Sequence, residues 1–453
     1  MLRLSEPGPV GRVLSGDAAA LAGLAAKTRP MARPLLGGAA TAKGVVVAEI
    51  DFLDEVRAIH PDLITLRRWL HQHPERGNQL PQTQAAVLQA LAELPLEVMT
   101  GTSLTSIVAV LRGSAPVSGD RPTVLLRADM DGLPVLEETG LPYASTNGSM
   151  HACGHDLHTS GLVGAARLLC AHQDQIAGDV IFMFQPGEED PGGAEPMIAE
   201  GVLTVTGRMP DAAYGIHVFT AEPAGLWQIR PNTLMAGCLE LAVTVHGRGG
   251  HGSTPYASVD PVPVAAEIVL ALQSYVTRRV NVFDPVVITV GEIHAGTAMN
   301  IIPDLATLKG SVRVLSKESA AQLHKDLPRL AEGIASAHGC TAEATLTTLY
   351  PVTVNDPAET TFVVDQLVGL HGVDQVRIMP EPRMGSEDFS FVLDEVPGAY
   401  FFLGAHPEPF PEVPPTNHSA RALFDDSVLA EQAATLAQLA YTKINLLAGT
   451  QVV

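Results

Sequence analysis

The sequence predicts an α/β protein, a sheet flanked by helices, interrupted by an inserted βαββαβ unit. Three observations predict this. Continuous apolar runs at 123–127 and 179–184 are typical of strands buried on both faces, and helical patterns separate them. These runs, and a third at 212–218, lead into or contain His, Asp or Glu at their C-terminal ends, where open α/β sheets place their sites. Near Met235 the pattern changes, and residues 239–246 alternate apolar and polar as a half-exposed strand does. The 453-residue length agrees with two domains rather than one core.

Composition narrows the partners. A net charge of −21 argues against nucleic acid and anionic membrane surfaces. The four cysteines, at 153, 170, 238 and 340, form no CxxC pair, so reduced thiols in a cytoplasm are expected. No apolar run reaches the ~18 residues of a membrane helix. Residues 1–50 contain Pro7-Gly8-Pro9, Arg29-Pro30 and Arg33-Pro34 and lack the apolar core of a signal peptide. They read as a poorly structured extension with one short helix near 17–27, or as an overlong start.

The folded part is expected from about Phe52. Pro61 can open a helix whose Leu63, Leu66 and Leu70 share a face. A second helix over 83–94 takes Thr83 as N-cap. Strands at 106–111 and 123–127 follow, then a helix at 160–172 and strands at 179–184 and 212–218. The inserted unit runs strand 239–246, helix 261–276, strands 286–293 and 306–315, helix 318–337 and strand 341–349. That order is a ferredoxin-like sandwich. Beyond Pro351 come a helix at 360–370, strands at 376–379 and 399–403, and a closing helix at 427–447. The expected domains are therefore an extension (1–50), a catalytic domain (51–232 with 353–453) and an insertion (233–352).

The densest chemistry is Met150-His151-Ala152-Cys153-Gly154-His155-Asp156-Leu157-His158-Thr159. An extended or tightly turned backbone lets Cys153 and His155 converge on one point, and thiolate with imidazole suits a borderline-soft divalent ion. Glu189, His217 and His418 complete a candidate set of five. Five ligands exceed one tetrahedral site but suit two ions sharing a solvent bridge. Adjacent Glu188 and Glu189 then make sense, since one can bind metal while the other stays free as a base. His71 and His73 are expected to pack or hydrogen-bond near the site. Asp131 is expected to orient a ligand histidine. Asp129 and His158 are expected in supporting roles, as is Asp388, and Cys170, Cys238 and Cys340 as ordinary thiols.

These motifs resemble the aminoacylase–carboxypeptidase group of co-catalytic metallopeptidases, within it the amidohydrolase branch of hippurate hydrolases and indole-acetyl-amino-acid hydrolases. The resemblance spans about 59–447. It rests on Leu70-His71-Gln72-His73-Pro74-Glu75, Arg127-Ala128-Asp129-Met130-Asp131, the 150–159 stretch and Phe184-Gln185-Pro186-Gly187-Glu188-Glu189. Gly249-Gly250-His251-Gly252, Met299-Asn300-Ile301-Ile302-Pro303-Asp304 and the 384–389 segment add to it. It departs from the family at Gly187 and Gly252, where alanine is usual. The resemblance implies a zinc-peptidase-like catalytic domain with a mixed sheet and an inserted dimerisation or lid domain. It implies that Cys153, His155, Glu189, His217 and His418 hold two divalent ions, manganese or zinc first, with cobalt and nickel admissible. It implies that Glu188 is the general base. It further implies that Cys153 replaces a bridging carboxylate, that His251 reaches a neighbouring subunit's site as oxyanion donor, and that Asn300 and Arg313 lie near the substrate carboxylate.

The expected reaction is hydrolysis of an N-acyl-amino acid by metal-activated water that Glu188 deprotonates, in a homodimer or dimer-based oligomer. A dipeptidase or N-acetyl-amino-acid deacetylase is the alternative reading, and a non-catalytic acyl-amino-acid-binding relative a third.

Overall fold

The first helix, α1 (Phe52–Gln72), starts earlier than Pro61. The Asp51 carboxylate accepts the Asp54 N–H and caps it there. Pro61 lies inside the helix on its exposed side, so the carbonyl that its missing N–H leaves free faces solvent. Helix α2 (Pro81–Leu91) opens at Pro81, which suits the first turn, rather than at Thr83. Thr83 is instead buried, its N–H held by Glu75 at 2.8 Å. The computed structural model describes residues 46–47, 50–117, 119–449 and 451–452, so the helix expected at 17–27 lies outside the described residues.

Next come β1 (Glu97–Thr100), an edge strand that the sequence pattern does not reveal, β2 (Ile107–Arg112) and β3 (Thr123–Asp129). After them come α3 (His155–Ala171), β4 (Asp179–Gln185), α4 (Ala194–Ala199), β5 (Ala212–Pro223), β6 (Trp227–Ile229) and β7 (Asn232–Met235). The middle of the chain holds β8 (Gly237–His246), β9 (Gly250–His251), α5 (Pro261–Arg279), β10 (Val287–Ala295), β11 (Ile301–Ile302), β12 (Leu305–Val314), α6 (Lys317–Ala337) and β13 (Thr341–Tyr350). The remainder is β14 (Thr353–Asn355), α7 (Pro357–His371), β15 (Val376–Ile378), α8 (Ser390–Glu395), β16 (Gly398–His406) and α9 (Val428–Leu447).

The main sheet is mixed, in the order β15-β6-β16-β5-β3-β4-β2-β1. Its centre, β16-β5-β3-β4, is parallel; at one side β2 runs antiparallel to β4, and β1 antiparallel to β2. Strand alternation sorts its side chains between two cores. Val124, Leu126, Phe182, Tyr214 and Phe401 join one face with α1, α3 and α9. Leu125, Ile181, Met183, Ala213, Tyr400 and Phe402 join the other with α4 and α8. On the first face the helices sit very close, because a Cβ on Gly164 of α3 would stand 2.7 Å from both Ala433 and Leu63.

A second, four-stranded sheet has the order β10-β12-β8-β13 and is antiparallel throughout. With α5 and α6 on one face it builds its own core around Val243, Ile268, Leu308 and Leu327. The βαββαβ succession read from the periodicity is therefore the observed one.

Candidate metal centre and active site

Strand parity decides which side chains can meet. Arg127 and Asp129 follow Leu125 on the α4/α8 face of β3, Gln185 follows Met183 on β4, and His217 follows Ala213 on β5. β5 runs on to Pro223, so His217 stands within it rather than at its end. Cys153 and His155 arrive from the loop before α3. Between them Gly154 has φ +86°, and a Cβ there would lie 2.4 Å from Val218, so only glycine makes this turn. His155 then opens α3. His418 is held in the left-handed region at φ +70°, uncommon for a non-glycine residue. Its N–H is anchored on the Ala152 carbonyl at 2.9 Å. Asn417 secures the same loop by donating to the carbonyls of Cys153 and Val218.

The five candidate ligands converge. Cys153 Sγ lies 3.3 Å from His217 Nε2 and 3.3 Å from His418 Nε2. His418 Nε2 stands 3.1 Å from Glu189 Oε1, and His155 Nε2 stands 4.0 Å from the same oxygen. Two triads, Cys153–His155–His217 and Cys153–Glu189–His418, each bring their donor atoms within 4.8 Å of one another, and Cys153 belongs to both.

The hydrogen bonds behind these donors orient them for a cation. His155 Nδ1 pairs with the Asp131 carboxylate at 3.3 Å, and His217 Nδ1 with the Val218 carbonyl at 2.8 Å. With a cation bound, each ring would carry its proton on Nδ1 and turn its Nε2 lone pair into the cluster. The His155 Nε2 is buried without any hydrogen-bond partner. A buried ring nitrogen without a partner, beside a thiol and a carboxylate, fits a borderline-soft divalent ion. Without a cation, burial and the Glu189 charge push the Cys153 thiol up, and the hydrogen bonds to Cys153 and Glu189 push His418 up to about 10. A bound cation would reverse that logic by favouring thiolate and neutral imidazole.

Glu188 sits beside this set, with His155 and Glu189 on one side and Glu387 and Asp388 on the other. Burial first, then the Glu387, Glu189 and Asp388 charges, hold its carboxyl well above the usual range. Asp131 does more than orient His155: its two oxygens also accept the N–H groups of Glu188 and Glu189, each at 3.0 Å. Asp388 is buried and structural, accepting from Gln185 and from the N–H groups of Gly193 and Ala194.

His158 and His71 are held in buried hydrogen-bond networks, whereas His73, expected near the site, is not brought to it. His158 Nε2 accepts the Val218 N–H at 2.8 Å while Nδ1 faces Asp129, a satisfied buried ring. His71 lies in a buried network with Asp156, Glu137 and Arg67. His73 stacks on Trp69 away from the site. Sequence reasoning missed Arg127 as the hub of the site's acids. It reaches Asp129, Glu387 and Asp388 at 2.5, 2.7 and 2.9 Å from full burial. Its position on a continuously buried strand was the available signal, since a buried arginine needs partners.

A cavity of about 480 Å³ opens beside the cluster. Arg313 lines it and donates to Ser386 Oγ at 2.8 Å. Cys238, Leu349 and Tyr350 line it too, none of which the sequence singled out for a role. Asn300 and His251 are not brought to this cavity within one chain. They lie together on an exposed corner, with Gly252 N–H bonded to the Asn300 carbonyl at 2.8 Å. The pairing of Asn300 with Arg313 expected from the sequence is thus split between two places.

Comparison with known proteins agrees with this geometry. Residues 125–442 match the profile of peptidase family M20/M25/M40. The chain is 38% identical over 381 residues to thermostable carboxypeptidase 1 of Saccharolobus solfataricus, covering 83% of this chain and 94% of that one. It is 37% identical over 345 residues to an N-acetyldiaminopimelate deacetylase of a Geobacillus species, covering 75% and 89%. The crystal structure of Bacillus subtilis YxeP, described as a dinuclear metal-binding peptidase of the M20 family, superimposes with a TM-score of 0.72 at 30% identity, covering 86% of this chain and 99% of that one. The chain belongs to peptidase family M20/M25/M40 and is a hydrolase of amide bonds.

Proposed function

We propose that the chain is a metal-dependent N-acyl-amino-acid amidohydrolase of the hippurate-hydrolase and indole-acetyl-amino-acid-hydrolase branch. The observation that carries this reading is the pair of donor triads sharing Cys153, with Glu188 beside them. Cys153, His155, Glu189, His217 and His418 would hold two divalent ions, which when bound supply Lewis-acid activation of water and of the amide carbonyl. Glu188 takes the proton of the attacking water and returns it to the leaving amine. Arg313 pairs with the carboxylate of the product amino acid, exchanging its Ser386 contact for a charged one.

We further propose that 233–352 is a lid and dimerisation domain inserted between 51–232 and 353–453. Its separate core and its outer strand β10, with Val287 and Ile293 exposed, support this. In that assembly His251 serves the partner copy's site. The Ser253 N–H donates to its Nδ1 at 3.1 Å, so the ring proton stands on Nε2, free for an oxyanion. Four unpaired cysteines favour a reducing compartment, the cytoplasm.

Turnover of hippurate, a series of N-acetyl-amino acids and several dipeptides, measured with metal content by elemental analysis, tests the reading. Hippurate and other N-acyl-amino acids are expected to be cleaved fastest. Exclusive dipeptide cleavage would make it a dipeptidase, and binding without turnover would remove the hydrolase reading. Preference for short acetyl groups would favour deacetylation, the activity for which the Geobacillus relative is named.

A further inference from the structure

The inserted sheet presents one row of side chains to the cavity. Arg313 of β12 and Tyr350 of β13 both pair with Cys238 of β8, so the three stand abreast across neighbouring strands. All three line the cavity. Tyr350 owes its place to an irregularity. Thr348 pairs with Leu239 and Tyr350 with Cys238, leaving Leu349 as an extra residue between them. Without that bulge Leu349 would oppose Cys238 and Tyr350 would turn to the other face of the sheet. The bulge therefore aims the phenol at the main layer.

There the Tyr350 hydroxyl donates to the main-chain carbonyl of Glu188 at 2.8 Å. That carbonyl belongs to the peptide joining Glu188 to Glu189. The N–H of the same peptide donates to Asp131 at 3.0 Å. The peptide plane between the proposed base and the proposed metal ligand is thus held at both ends, by the loop after β3 through Asp131 and by the inserted sheet through Tyr350. Nearby, Gly192 has φ +99°, and a Cβ there would stand 3.5 Å from the Tyr350 ring, so the ring packs close to this loop. The preceding Gly187, at φ +72°, has the conformational freedom that would let the plane rock if one hold were lost.

We infer that Tyr350 is a positioning residue, which makes the orientation of Glu188 depend on the docking of the inserted sheet. It touches no reacting atom; it acts through the Glu188–Glu189 peptide. Loss of the hydroxyl is expected to slow proton transfer while leaving the ligand side chains in place. This rests on Glu188 being the base.

The test is Tyr350→Phe in the metal-loaded full-length enzyme, with Lys317→Ala as a companion. Lys317 ties the inserted segment to Asp394 of α8 at 2.7 Å, at a distance from the cavity row, and so reports loosened docking alone. Tyr350→Phe is expected to lower kcat about tenfold, the weight of one lost hydrogen bond, with KM within about twofold. Metal content and melting temperature should match the parent, and amide exchange in the 187–190 segment should quicken while that of β4 does not change. Lys317→Ala should keep kcat within about twofold. A Tyr350→Phe kcat close to that of the parent overturns the inference, as does an equal loss in Lys317→Ala or a loss that tracks metal content. Glu188→Gln, measured alongside, separates the two levels. If it stays active the proposed mechanism itself falls, whereas an inactive Glu188→Gln with a normal Tyr350→Phe removes only the role given to Tyr350.

Discussion

Adjacent carboxylates with different surroundings are the central feature at the residue scale. Glu189 faces His418 and His155, whereas Glu188 faces Glu387 and Asp388. Glu188→Gln is therefore expected to keep fold and metal but lose about 10²–10⁴ in kcat. Glu189→Gln is expected to lose metal first, seen by equilibrium dialysis. Equal metal loss in both with Glu188→Gln still active would reverse the roles. A second acid shows the same physics without chemistry to perform. Glu431 of α9 has a buried oxygen with no hydrogen-bond partner, and burial, aided by the Asp425 charge, pushes its pKa from 4.5 up to about 7. Its stabilising contribution is complete below about pH 4.5 and is lost as pH rises through about 7. Glu431→Gln is expected to unfold in denaturant with about 1–3 kcal/mol more stability than the parent near pH 8 and about the same near pH 4. An equal gain at both pH values would refute the titration.

Alternation along one strand explains the acidic hub at the element scale. β3 is buried throughout, so every other side chain must enter the α4/α8 core, and Arg127 is one of them. Burial alone would lower its pKa, but Asp129, Glu387 and Asp388 outweigh this and keep it charged. Arg127→Met would strand those acids without a cation. It is expected to cost roughly 3–5 kcal/mol in urea unfolding at constant metal loading, as for one partner removed from a buried ion cluster. A loss below about 1 kcal/mol would mean that the acids simply protonate. Helix and strand positions were largely legible because apolar periodicity is local. The exceptions include the starts of α1, α2 and α3 and the elements β1, α4, β6, β7, β14 and α8, which are too short to carry a period of their own.

The whole molecule offers its most direct test in the two kinds of site residue that one chain keeps apart. His251 lies on an exposed corner while Glu188 lies buried in the cavity. Chelation is expected to abolish activity and manganese or zinc to restore it; full turnover in a metal-free preparation would exclude the proposed centre. His251→Ala is expected to lower kcat by roughly 10²–10³ with metal content unchanged. Mixing inactive His251→Ala with inactive Glu188→Gln should restore up to about a quarter of parent activity, since half the dimers would be hybrids with one intact site each. Loss without rescue, despite verified subunit exchange, would confine His251 to its own chain.

The chemistry of this protein was written in local sequence. Cys153-Gly154-His155, Glu188-Glu189 and the buried runs that precede them are short-range patterns, whereas the left-handed turn at Gly154 is a property of the fold. Family membership followed from the same motifs. Tertiary structure alone decided what those residues meet. It joined Asp131 to both Glu188 and Glu189, gathered three acids around Arg127, and parted Asn300 from Arg313. It also brought Tyr350 to a peptide 162 positions away through a one-residue bulge. Local patterns record which face a side chain takes within its own element. Contacts between distant elements depend on register and packing, which no local window of sequence contains.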